Sequence, residues 1–82
     1  MPFTFNIDKP KDLSYTLARL KKGIEQENGS VTGDTKTGTI NAGGVEAKYV
    51  VNEQHIEITI TKKPVIFPNP AIEMYIRKMF KG

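Results

Sequence analysis

His55-Ile56-Glu57-Ile58-Thr59-Ile60-Thr61 alternates polar and apolar residues without a break. Successive side chains of a strand point to opposite faces, so this spacing predicts a strand with Ile56, Ile58 and Ile60 on a buried face and His55, Glu57, Thr59 and Thr61 on a wet one. Upstream, the chain is rich in Thr, Gly and Val, which predicts three more strands over Val31–Thr35, Thr37–Ala42 and Val45–Val51. Gly43-Gly44 supplies a hairpin turn, and Asn52-Glu53-Gln54 is a short link to the strand at His55. Such short connections join antiparallel neighbours, and the segment reads as a meander.

Further out on the N-terminal side, Phe3, Phe5 and Ile7 alternate with Thr4, Asn6 and Asp8, predicting a first strand. From Lys11 to about Asn28 the period changes: Leu13, Leu17, Leu20 and Ile24 form one apolar helical stripe. Asp8 or Asp12 is the expected cap of this helix, and Asn28-Gly29 its left-handed end. Gly23 inside it costs about 1 kcal/mol relative to Ala. On the C-terminal side, Pro64 and Pro68 bracket Val65-Ile66-Phe67, predicting an extended connector or edge segment. Asn69-Pro70 then reads as N-cap and first helical residue, and Ile72, Tyr75, Ile76, Met79 and Phe80 share a face of the last helix. Glu73 and Arg77 are spaced to pair.

The expected fold is therefore α+β: a single antiparallel sheet of four or five strands with two helices packed on one face, in the order β-α-β-β-β(β)-α. Phe3, Phe5, Ile7, Val45, Ala47, Tyr49, Val51, Ile56, Ile58 and Ile60 would meet Leu13, Leu17, Leu20, Ile24, Ile72, Ile76 and Met79 in the core. Thr4, Asn6, Glu46, Lys48, Glu57, Thr59 and Thr61 would line the other face. At 82 residues the chain suits one small domain, residues 1–82, since this length cannot divide into two cores. With no cysteine, packing alone must hold it together. No run approaches the roughly 18–20 apolar residues of a membrane helix, and residues 1–10 lack the basic and apolar regions of a signal peptide, so a cytoplasmic location is expected.

The chemistry legible in the residues is sparse. His55 is the only histidine, the absence of cysteine removes thiolate nucleophiles and thiolate metal sites, and the nine carboxylates show no metal-ligand spacing, so neither a metal nor a cofactor is expected. Ser14 falls in a helix and Ser30 in a turn, without the elbow a hydrolase serine needs. Gly33 to Thr39 superficially resembles a phosphate loop, but Thr39 stands where the P-loop lysine belongs, and short strands need those glycines for their turns. The reading is therefore a non-enzyme. A net charge of +3 is small, and the predicted wet face lacks aromatics for stacking on bases, which speaks against nucleic acid.

Val65, Ile66 and Phe67 form the one apolar run without an evident partner. With Lys62, Lys63, Arg77 and Lys78 as a basic rim, they are the expected interaction surface, suited to a protein or an apolar surface.

Three stretches carry a family resemblance: residues 33–51 with Gly38-Thr39-Ile40 and Gly44-Val45-Glu46, residues 55–68 with Lys63-Pro64, and residues 71–80 with Ile72-Glu73 followed by Ile76-Arg77. In this order the chain resembles the small bacterial polyhydroxyalkanoic-acid system proteins, in which a strand and helix precede a meander and a closing helix. That resemblance implies a non-catalytic accessory protein of storage-granule surfaces and carries over no catalytic residue. The functional expectation is a cytoplasmic binding or interaction protein, with homodimerisation through a sheet edge as one mode. The rivals are a small apolar-ligand carrier using Tyr15, Tyr49, Met74 and Met79, and a phosphate-directed nucleic-acid binder.

Overall fold

The computed structural model of the protein describes residues 3–81. The elements follow the expected order: β1 (Phe3–Asp8), α1 (Leu13–Gln26), β2 (Ser30–Gly33), β3 (Thr37–Ala42), β4 (Val45–Val51), β5 (His55–Lys62) and α2 (Asn69–Lys81). All five strands form one antiparallel sheet in the spatial order β1-β5-β4-β3-β2. The four strands from β2 to β5 make the meander, while β1 pairs with β5 at the far edge. Chain connectivity thus requires α1 to cross from one edge of the sheet to the other. Four inter-strand spacings amount to about 19 Å, and a helix of 14 residues reaches about 21 Å, which matches the span.

Local chemistry sets the ends of α1. Asp12 accepts a hydrogen bond from the Tyr15 amide at 3.0 Å and so caps the start. At the other end Asn28 adopts φ 65°, its amide bonds to the Glu25 carbonyl, and the Gly29 amide reaches the Ile24 carbonyl at 2.9 Å. These are the two bonds of a Schellman ending. Gly43 and Gly44, at φ 58° and 83°, form the tight turn that joins β3 to β4, as their order in the sequence predicts.

α2 departs from expectation by one position. The Pro68 carbonyl accepts from the amides of Ala71 and Ile72, so Pro68 precedes the first turn and Asn69 lies within it. The Asn69 side-chain oxygen is buried without a hydrogen-bond partner among the described residues, instead of capping the helix. The Pro64–Pro68 connector differs too. It is a turn closed by the Phe67 amide on the Pro64 carbonyl at 3.1 Å, not an extended segment, because the chain must reverse from β5 into α2.

The core lies between the sheet and the helices. Phe5, Ile7, Ala47, Tyr49, Ile56, Ile58 and Ile60 meet Leu20, Ile24, Ile72 and Ile76, as the periodicity predicts, and Val31, Ile40 and Phe80 complete the cluster. Phe3, Leu13, Leu17, Val45, Val51 and Met79 pack around it half-buried. The opposite face of the sheet is uncovered and polar: Thr4, Thr59, Lys48, Thr39 and Thr32 stand in one row across all five strands.

Candidate functional site

The two faces of the connector turn differ in chemistry. Val65 and Ile66 occupy the tip and are 95% and 81% exposed. Lys63 holds the turn from below, its Nζ donating to the Phe67 carbonyl at 2.9 Å. Pro64 rests near the hairpin, where a Cβ on Gly44 would come within 3.2 Å of its ring. Exposure of two aliphatic side chains on so well fixed a turn is unusual, because burying each would stabilise the fold by about 1.5–3 kcal/mol.

Beside this turn lies a cleft of about 340 Å³ between α2, the β3–β4 hairpin and the end of α1. Buried Ile72 and half-buried Ala42 and Val45 form its deep part; Gly43 and Ala71 keep it open, and exposed Phe67, Tyr75 and Glu27 form its rim. The Tyr75 hydroxyl donates to the Glu27 carboxylate at 3.0 Å, joining the two helices across the mouth. Burial, and then the bond to and charge of Glu27, hold the Tyr75 hydroxyl above the ordinary tyrosine range. Glu27 itself is the C-cap residue of α1.

The residues of the expected basic rim are divided between two places. Lys62 and Lys63 adjoin the connector, in a groove shared with Phe3, Ile60, Val65 and Asn69. Arg77 and Lys78 sit about 12 Å or more along α2 from its start. Arg77 bonds Glu73 at 2.8 Å through Nε and lies 5.3 Å over the Phe5 ring, next to β1. Lys78 borders the groove between α1 and α2. The four carrier candidates do not meet at the cleft either. Tyr49 is fully buried with its hydroxyl on the Asp34 carbonyl at 2.7 Å, while Tyr15 and Met74 are exposed on the helices. Met79 lies in the inter-helix groove.

The segment that resembles a phosphate loop is a strand-to-strand turn. The Asp34 carboxylate accepts from the amides of Lys36 and Thr37 at 2.8 and 3.0 Å, and these bonds lower its pKa. His55 has its Nε2 3.1 Å from the Asn52 side-chain amide, which ties the ring to the β4–β5 turn. Among the described residues, no group of three or more His, Asp or Glu side chains is placed to hold a metal ion. Among them too, no helix is long and apolar enough to cross a membrane. The cleft escaped the sequence reading because its lining comes from four separate segments, and the periodicity assigned Val45 and Ile72 to the core and Phe67 to the connector. Comparison with family models, curated proteins and solved structures finds no match for the chain.

Proposed function

We propose that the chain is a non-catalytic interaction module that docks on an apolar surface through the turn Val65-Ile66-Phe67. The observation that carries this is the 95% and 81% exposure of Val65 and Ile66 at a turn pinned by Lys63. Lys62 and Lys63 beside it suit a surface with anionic groups at its boundary. The resemblance to polyhydroxyalkanoic-acid system proteins supports a polyester granule as that surface. A second reading, a carrier for a small apolar ligand, is supported by the cleft under Phe67.

Sedimentation with polyester particles tests the docking. Val65→Ser with Ile66→Ser should leave the melting temperature within a few degrees and reduce retention about tenfold or more, as loss of buried aliphatic area would. Lys62→Ala should remove only salt-sensitive retention. Retention unchanged by the double substitution would overturn the reading.

A further inference from the structure

The cleft differs from the docking turn in carrying a single charged group, and that group is negative. Glu27 stands at the C-terminal end of α1, where the helix dipole is itself negative, and no basic residue lies in the last turn of the helix. Glu25 adds another carboxylate to this end. The partner across the mouth is the uncharged hydroxyl of Tyr75; Glu27 and Tyr75 also line the adjoining inter-helix groove, together with Arg19 and Lys78. The rest of the cleft is apolar, with the Phe67 and Tyr75 rings at its rim. A ligand that satisfies both parts has an apolar tail and a cationic head. The head can accept the field of Glu27 and of the helix end and approach an aromatic face.

We propose that this cleft binds a small free aliphatic amine in its protonated form, tail against Ala42, Val45 and Ile72 and ammonium at Glu27. Its volume is near the lower end of the range for small-molecule pockets, about 300–1,000 Å³, which limits the tail to a short chain or a single ring. The Tyr75 hydroxyl orients the carboxylate from the other helix, so the acceptor is held in place before a ligand arrives. The cleft shares Phe67 with the docking turn, but neither Val65 nor Ile66 lines it, so substitutions at those two positions distinguish the two kinds of binding.

The test is a titration of the full chain with n-hexylammonium, n-hexanol and hexanoate, followed by amide NMR shifts. The expected shifts centre on Ala42, Gly43, Val45 and Ala71. Hexylammonium should bind about three- to fivefold more tightly than hexanol, the preference that one partly exposed ion pair can give, and hexanoate more weakly than either. Glu27→Gln should abolish the preference, read as the ratio of hexylammonium to hexanol affinity, and Val65→Ser with Ile66→Ser should leave that ratio unaltered. The proposal is overturned by hexanoate binding as well as hexylammonium, by a preference that survives Glu27→Gln, or by shifts centred elsewhere. Nα-acetyl-lysine amide presents the same ammonium on a peptide lysine; tighter binding of that compound than of hexylammonium would overturn the assignment to a free amine.

Discussion

Strand β3 has small residues at both ends, and the two ends are filled differently. At its start, Gly38 pairs with Tyr49 on β4 and faces Gly33 on β2. With no Cβ at Gly38, the Tyr49 ring lies against the strand and its hydroxyl reaches the Asp34 carbonyl. Phe80 packs against the same ring edge to face, with the centroids 6.5 Å apart. At the other end of β3, Ala42 and Gly43 line the cleft with Ala71, Ile72 and Tyr75 of α2, and the cleft stays open. Small residues make space at both ends; a large side chain from the neighbouring strand fills it at only one. The open end is also where the exposed turn and Glu27 stand.

The widest test of this contrast is Tyr49→Ala, which should destabilise the fold by about 3–5 kcal/mol in urea melts, as truncation of a fully buried aromatic does. A loss below 1 kcal/mol would mean that the closed end is no better packed than the open one. Next comes Gly38→Ala. Its methyl group would collide with the Thr32 carbonyl and the Tyr49 ring, and the expected cost is about 1–3 kcal/mol. The same change at Gly23 should have the opposite sign: a Cβ there meets nothing within 4 Å, so Gly23→Ala should stabilise by about 0.5–1 kcal/mol through helix propensity.

At the open end, Ala71→Leu adds a larger side chain at the edge of empty space, and thermal melts should stay within about 0.5 kcal/mol of the wild type. The smallest effect concerns the turn above Tyr49. The Asp34 carboxyl titrates below its ordinary 3.8 because the Lys36 and Thr37 amides favour the charged form. Its contribution is therefore full above that value and fades as pH falls through the lower folded value. Asp34→Asn can still accept both amide bonds but cannot titrate. The wild type's advantage over it should shrink between pH 5 and acid; an advantage that grows on acidification would reverse the assignment.

Much of the fold was legible because strands and helices leave different periods in the sequence. Ile56, Ile58 and Ile60 were separated from Glu57 and Thr59 by alternation alone, and the burial of all three isoleucines follows it. Asp12, Asn28-Gly29 and Gly43-Gly44 marked their ends and turns because those positions need a particular side-chain acceptor or a positive φ. The short flanking strands gave a weaker signal. Val31 and Ile40 join the core cluster, although the alternation around each is brief and broken by glycines. Asn69 looked like a helix cap, but its side-chain oxygen is buried without a partner among the described residues, and the first turn instead closes on the Pro68 carbonyl.

The sequence by itself determined the element order, most of the buried stripe of each helix and the polarity of the open sheet face, because each of these is a local pattern repeated over several residues; Tyr75 is exposed and Thr16 buried against that pattern. It also marked Val65-Ile66-Phe67 as an apolar run bounded by prolines. Only the tertiary structure decided that this run is a turn with its tip in solvent, that Arg77 lies over Phe5 instead of beside the turn, and that Glu27 meets Tyr75 across an apolar cleft. The last two depend on contacts between residues 48 or more positions apart, and no local spacing encodes which distant side chain arrives to fill a space or leaves it empty.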